Sequence, residues 1–242
     1  MDWKILARLG RVEMVTEGSA GGFIQASGTE RVSVIIPAYN VAPYIAETLS
    51  SVFAQTTSAF EVIVVNDGSP DTEELEEALQ PFRDRILYVK LENCGLAGAR
   101  NTAIRAAKGD LIALLDGDDL WMPQYIETQT RFPRCHPEYD LVYCNAELFG
   151  ESIYAARYYM DVCPSFGEAT AAATISRNCN VFVSVTARAE ALGAIEFDES
   201  LRSCEDFDCL LRLLLRLTPG LMRCVFRWRG MLLNRHNEST TR

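Results

Sequence analysis

The chain has 242 residues, 48% of them hydrophobic, enough for one large α/β domain or two small ones. Its formal net charge of −10 excludes a general nucleic-acid binder, because no domain-wide cationic field is present to gather phosphates. No apolar run approaches the roughly 20 residues of a membrane span, and the start, Met1-Asp2-Trp3-Lys4-Ile5, lacks the apolar core of a signal peptide. Eight scattered cysteines form no C-x-x-C pair and sit beside only two histidines. That argues against a zinc cluster and for small apolar core residues in a reducing cytosol.

Residues 1–30 stand apart as a flexible N-terminal extension, with Gly18-Ser19-Ala20-Gly21-Gly22 and Ala26-Ser27-Gly28-Thr29 and at most one short helix. From Arg31 the pattern alternates regularly. Val32 to Ile36 is a β-branched strand ended by Pro37, and Pro43 fits the first turn of a helix reaching about Gln55. Phe60 to Val65 is a second buried strand, followed by the turn Asn66-Asp67-Gly68-Ser69-Pro70-Asp71. An acidic helix covers Thr72 to Gln80, and Ile86 to Val89 is a third strand. A helix spans Leu96 to Ala107 with Gly109 as its C-cap. Leu111 to Leu115 is a short, fully apolar fourth strand.

Four βα units in succession predict a parallel, doubly wound sheet. Beyond Trp121 the pattern loosens. Pro123 opens a helix to about Phe132, and Asp140 to Asn145 and Val181 to Thr186 read as strands. Ala187 to Leu192 is a helical turn or two, Glu205 to Leu217 a helix, and residues 222–234 a final strand or hairpin. Residues 150–180 are mixed in pattern.

The chemistry is concentrated where the fourth strand ends. Asp116-Gly117-Asp118-Asp119 places three carboxylates within four positions. Acids so close repel one another and resist desolvation, so a divalent cation with hard oxygen ligands, shared with phosphates, is a natural partner. A solvated acidic turn, with Asp119 capping the next helix, explains the same four residues. Ligands of parallel sheets bind beyond the carboxyl ends of the strands. Tyr39 and Asn40 follow the first strand, Asp67 the second and the acids the fourth, which favours the functional reading.

Val-Ser-Val-Ile-Ile-Pro-Ala-Tyr-Asn (32–40), Val-Asn-Asp-Gly-Ser-Pro-Asp (65–71), Gly-Leu-Ala-Gly-Ala-Arg-Asn (95–101), Leu-Leu-Asp-Gly-Asp-Asp (114–119), Glu205-Asp206 and Arg235-His236 occur in the order seen in family 2 glycosyltransferases, which the chain resembles from Arg31 to His236. The resemblance implies a GT-A (Rossmann-like) three-layer α/β sandwich with a mostly parallel central sheet. It also implies one domain over 31–242, with a nucleotide-sugar-binding half (31–120) and an acceptor-binding half (121–242). The implied activity is that of an inverting, metal-dependent, hexosyltransferase-type enzyme that moves a sugar from a nucleotide-diphospho-sugar, UDP-sugars foremost, to a hydroxyl. The setting by analogy is bacterial surface polysaccharide or glycolipid synthesis.

By the same resemblance, Pro37, Ala38, Tyr39 and Asn40 line the nucleotide, with Tyr39 against the base. Asp67 accepts the base imino N–H, where an Asx turn is the plain alternative. Gly95 and Gly98 allow close approach of backbone and helix N-terminus. Arg100 meets the base or a phosphate, or else is a surface arginine paired with an acid. Asp116 and Gly117 lie at the ribose side, Asp118 binds Mn2+ or Mg2+, Asp119 supports it, and His236 reaches back to the metal or diphosphate. Asp206 is the general base, and Glu205 orients the acceptor or a nearby loop. Two plain alternatives stay open: the acids at 205–208 suit a helix N-terminus in any protein, and Trp121 is a pocket or a core residue.

The acceptor is a carbohydrate or a lipid-linked molecule. Seven arginines and one acid from Arg212 onward suggest peripheral contact with the inner face of a membrane, in an otherwise cytoplasmic protein. Two rivals remain: a metal-dependent nucleotidyltransferase or phosphatase, which leaves Asp206 without a role, and a non-catalytic nucleotide-sugar-binding module.

Overall fold

The computed structural model describes residues 30–135, 140–150, 155–163, 170–176, 185–216 and 232–235. The strands are β1 (Val32–Ala38), β2 (Glu61–Asp67), β3 (Leu87–Leu91), β4 (Leu111–Leu114), β5 (Leu120–Trp121), β6 (Leu141–Tyr143), β7 (Ala146–Phe149), β8 (Val185–Arg188) and β9 (Leu232–Arg235). The α-helices are α1 (Ala42–Phe53), α2 (Thr72–Leu79), α3 (Gly95–Ala106), α4 (Tyr125–Cys135), α5 (Tyr159–Val162), α6 (Ala171–Ile175), α7 (Ala189–Ile195) and α8 (Glu205–Arg216).

A six-stranded sheet runs in the order β3-β2-β1-β4-β8-β6. Its first four strands are parallel, β8 is antiparallel to β4, and β6 is antiparallel to β8. The strand order reverses between β1 and β4, so their carboxyl ends open the crevice where such sheets take ligands. The expected mostly parallel α/β sandwich is the observed fold.

The apolar runs form strands because both faces of this sheet are buried. Ile35, Ile63, Val65, Ile112 and Leu114 face one core, with Ala97, Ala99, Ala103 and Ile104 of α3, Leu192 of α7 and Leu213 of α8. Their sequence neighbours Val34, Ile36, Val62, Val64, Leu111 and Ala113 face the other, with Ile45 and Leu49 of α1 and Leu75 and Leu79 of α2. Each buried Val, Leu or Ile side chain among them contributes about 1.5–3 kcal/mol by leaving water, and each alanine less.

A second sheet, β5-β9-β7, joins the two-residue β5 to the end of the chain. β9 lies between β5, to which it is antiparallel (Leu120 opposite Leu233), and β7, to which it is parallel. Of the predicted segment 222–234, residues 232–234 belong to this strand and 222–231 lie outside the described residues. Residues 181–184 of the predicted strand 181–186 and residues 1–29 also lie outside them.

Several expectations are corrected. Gly109 is not the C-cap of α3, which ends at Ala106 with Ala107 extended (φ −64°, ψ 141°). A Cβ at Gly109 would stand 2.6–2.7 Å from Ser33 and the Arg31 carbonyl, so its glycine answers close packing against β1. The strand expected over 140–145 breaks at Cys144 and Asn145, and β7 follows. Residues 80–85 form a 3-10 turn that the sequence pattern did not suggest. Asp119 caps no helix, since β5 intervenes before α4, and it is buried. Trp121 is a core residue, 3% exposed and stacked on Tyr125 at 4.1 Å. Cys144 and Cys209 are buried as expected, but Cys94 and Cys204 are exposed; all four are free thiols. Among the described residues no helix is long and apolar enough to cross a membrane.

Candidate active site

The loop after β1 is held by the loop after β2. Asn40 adopts φ +57°, a left-handed conformation that asparagine tolerates, and its N–H donates to Ser69 Oγ at 2.6 Å. Ser69 Oγ donates in turn to Asp71 Oδ1, and Asp71 Oδ2 accepts the Ala42 N–H at 2.8 Å. Asp71 thereby satisfies an otherwise open donor at the start of α1. The result fixes Tyr39, 52% exposed, at the lip of the crevice. Ser69 and Asp71 were not singled out from sequence; they lie inside the 65–71 motif, which was the available signal.

Asp67 ends β2 and is buried. One carboxylate oxygen accepts the Cys94 N–H at 2.7 Å and the Cys94 thiol at 3.2 Å, and the Asp67 carbonyl accepts from Asn93 Nδ2 at 3.0 Å. Partial burial of the sulfur, followed by the Asp67 carboxylate, pushes the Cys94 thiol up to about 11, so it stays a donor. Gly68 (φ +62°) is confined, because a Cβ there would meet Asn93 N at 2.7 Å. Gly95 (φ +80°) has no heavy atom within 4 Å of its Cβ position, so that side of the α3 N-terminus faces open space. Gly98 packs instead on Cys94, whose Sγ would lie 2.7 Å from an added Cβ.

The turn after β4 is drawn under β1 and α1. Thr48 Oγ1 donates to the Gly117 carbonyl at 2.9 Å, and a Cβ at Gly117 would stand 2.9 Å from Val41 and 3.1 Å from the Pro37 carbonyl. Pro37 and Ala38 are buried in β1, where they support the crevice wall. The Asp119 N–H closes the turn on the Asp116 carbonyl at 3.1 Å.

Arg100 joins this turn to the far half of the chain. Its Nη2 lies 2.9 Å from Asp116 Oδ1, and its Nη1 lies 3.1 Å from Glu205 Oε1. Its side chain is 1% exposed, and its Cζ lies 5.3 Å from the Phe197 ring centroid. The alternative of a surface arginine paired with an acid is thus corrected: Arg100 is paired with acids, but it is buried and both partners lie outside its own helix. Asn101, next in sequence, grips the backbone of Phe197 from both sides: Nδ2 donates to its carbonyl at 2.9 Å, and Oδ1 accepts its N–H at 2.7 Å. Nδ2 also donates to Glu199 Oε1 at 2.9 Å. These contacts seat the 196–204 loop and the first turn of α8, which carries Glu205 and Asp206.

Asp206 Oδ1 accepts the Phe207 N–H at 2.7 Å. Asp208 turns away to Arg212, at 2.7 Å. Arg212 also donates to the Ile195 and Glu196 carbonyls at 2.9 Å, so this member of the C-terminal basic set is bound internally. The His236 assignment lies outside the described residues.

Among the described residues, no three His, Cys, Asp or Glu side chains converge on one point. Asp118 is half-buried in a turn with Asp116 and Asp119 beside it, a donor set of the kind a hard cation with one or two protein carboxylates and water or phosphate oxygens would take. Asp118 is the candidate ligand.

The chain matches the family model described as Glycosyl transferase family 2 over residues 33–174, more than half of its length. Glycosyltransferase GlyA of Streptococcus pneumoniae serotype 4 is 41% identical over 101 residues, covering 41% of this chain and 14% of that protein. The chain spans only 14% to 39% of the length of the curated relatives it matches. The fold is similar to S. aureus TarS 1–349 in complex with UDP (TM-score 0.70, 21% identity, 86% of this chain and 61% of that one). It is also similar to the mannosyltransferase PcManGT from Pyrobaculum calidifontis in complex with GDP-Man and Mn2+ (TM-score 0.65, 22% identity, 88% and 59%). With its ordered strand-end motifs and this extent of match, the chain belongs to glycosyl transferase family 2.

Proposed function

We propose that the chain transfers a sugar, with inversion, from a nucleotide-diphospho-sugar to a hydroxyl acceptor. The observation that carries this reading is the strand-order reversal between β1 and β4. Tyr39 and Asn40 follow one carboxyl end, Asp116 to Asp118 follow the other, and Asp67 ends the neighbouring β2. Tyr39 offers an aromatic face to the base, Asp67 its second carboxylate oxygen to a base N–H, and Asp116 a carboxylate to the ribose. Asp118 holds Mn2+ or Mg2+, and β9 leads directly to His236, the second ligand in this reading. A divalent cation there would neutralise charge on the departing nucleoside diphosphate.

Asp206 takes the acceptor proton. Inversion requires attack from the side opposite the leaving group, and a base delivered by α8, far along the chain from the cation site, suits that requirement. UDP is the preferred nucleotide, supported by the likeness to a UDP-bound structure; GDP is the competitor named by the second neighbour. The acceptor belongs to cell-surface polysaccharide or glycolipid synthesis. The protein works at the cytoplasmic side, and the arginine-rich composition of its C-terminal segment suits an anionic lipid surface.

The test is thermal-shift screening of UDP-, GDP- and dTDP-sugars with and without Mn2+. A metal-dependent rise in melting temperature with one of them is expected; no response to any nucleoside diphosphate would sink the assignment. Asp206→Asn is expected to keep that response and to lose sugar transfer. Full transfer by that variant removes the base role and leaves the donor site standing.

A further inference from the structure

Arg100 carries a full positive charge at 1% exposure. A buried cation persists only where it is paired and hydrogen-bonded. Its two partners come from distant parts of the chain: Asp116 is 16 residues away in sequence, and Glu205 is 105 residues away. The planar guanidinium fork fixes the two carboxylates relative to each other, while the Phe197 ring lies beside it. Arg100 Nε is buried without a hydrogen-bond partner among the described residues. Asp116 is 31% exposed and Glu205 12%, so the crevice meets the acids while the guanidinium lies behind them.

We infer that Arg100 is a positioning residue that couples donor binding at Asp116 to the placement of Glu205 and the helix start bearing Asp206; this rests on the glycosyl-transfer reading of the site. One positive charge shared by two carboxylates leaves a surplus negative charge, and Asp116 is the more open of the two. A hydroxyl of the nucleotide ribose therefore meets a charged acceptor, the stronger kind. When Glu205 loses its charge, Asp116 receives the whole guanidinium and becomes a weaker acceptor. By linkage the effect is reciprocal, so a ligand on Asp116 shifts Arg100 toward Glu205 and steadies the first turn of α8. Arg212, one turn further along α8, pairs with Asp208 and donates to the Ile195 and Glu196 carbonyls, so the body of the helix is held independently of Arg100. Arg100 reaches α8 through Glu205 at its first residue.

The experiment is calorimetric titration of UDP, in the presence of Mn2+, into wild type, Glu205→Gln, Asp116→Asn and the double variant. All four are then repeated with Arg100→Met. The substitutions at 116 and 205 are isosteric and remove charge without removing volume. Glu205→Gln is expected to weaken UDP about fivefold or more, although Glu205 touches no nucleotide in this arrangement. The losses at 116 and 205 are expected to be non-additive with Arg100 present and additive without it. Should Arg100→Met fail to fold, Arg100→Lys serves, since an ammonium keeps the charge but not the two-pronged geometry.

Unchanged UDP affinity in Glu205→Gln, or additive losses with Arg100 in place, overturns the coupling and leaves the donor site intact. Failure of wild type to bind UDP, GDP or dTDP overturns both the coupling and the functional reading.

Discussion

Asp67 and Cys94 show how a few atoms set a site's chemistry. The thiol and the Cys94 N–H share one carboxylate oxygen, and in the proposed reading the other accepts from a base. With its thiol pushed up to about 11, Cys94 is exposed yet slow to form the reactive thiolate. Iodoacetamide at about pH 8 is expected to modify it more slowly than a free cysteine, and Asp67→Asn to accelerate the reaction. Mass spectrometry of the peptide containing Cys94 reads both, and an ordinary rate in wild type contradicts the arrangement. At Asp118 the expectation is simpler. Asp118→Asn keeps the fold and loses the Mn2+-dependent part of the UDP thermal shift, while any metal-independent part survives. The candidate residues themselves were legible because each lies inside a short motif, at the end of a strand or in the opening turns of a helix. The burial of Arg100 was not, since both of its partners are supplied by tertiary folding.

Elements with strong local patterns were legible: β1, β2 and β4 are β-branched or apolar runs, and α1 begins near Pro43. β5 was not, because a two-residue strand has no periodicity of its own and exists only through its partner, whereas β9 lies largely within the segment 222–234 expected to form a strand or hairpin. Gly109 misled for a related reason. A glycine after a helical pattern reads as a C-cap, while here the cause is the backbone of a strand 76 residues away. Gly109→Ala is expected to cost roughly 1–3 kcal/mol in urea unfolding, because the colliding atoms include backbone that cannot move aside. Asp71→Ala removes the acceptor at the start of α1 and should cost about 1 kcal/mol. It should also weaken UDP binding, since Ser69 and Asn40 lose their anchor.

Across the whole molecule, the two halves of the site are fastened by Asn101. Asn101→Ala strips the Phe197 N–H and carbonyl of their partners in a buried place and is expected to cost about 2 kcal/mol or more. Chemical unfolding measures that cost, and a loss near zero means the loop is held by other contacts. The surface contributes a pH dependence of known sign. Hydrogen bonds from Arg31 hold the Asp110 carboxyl below its ordinary value of 3.8. A lowered folded value stabilises the fold above pH 3.8 and is lost as pH falls through the folded value. Arg31→Gln should therefore reduce the urea midpoint at neutral pH and flatten its decline below about pH 4, with the two proteins converging in acid.

The insertion of β9 between β5 and β7 has a consequence for how the protein is made. During synthesis β5 and β7 leave the ribosome long before residues 232–235, so the edges that pair with β9 wait for it. The turn that ends at Asp119 is adjacent to β5 and acquires its neighbouring strand only then. A nascent chain stalled before Leu232 is thus expected to hold the β1–β4 sheet but to fail in retaining UDP on a nucleotide resin. Release of β9 would then mark the moment at which the nascent chain gains the nucleotide binding proposed for it.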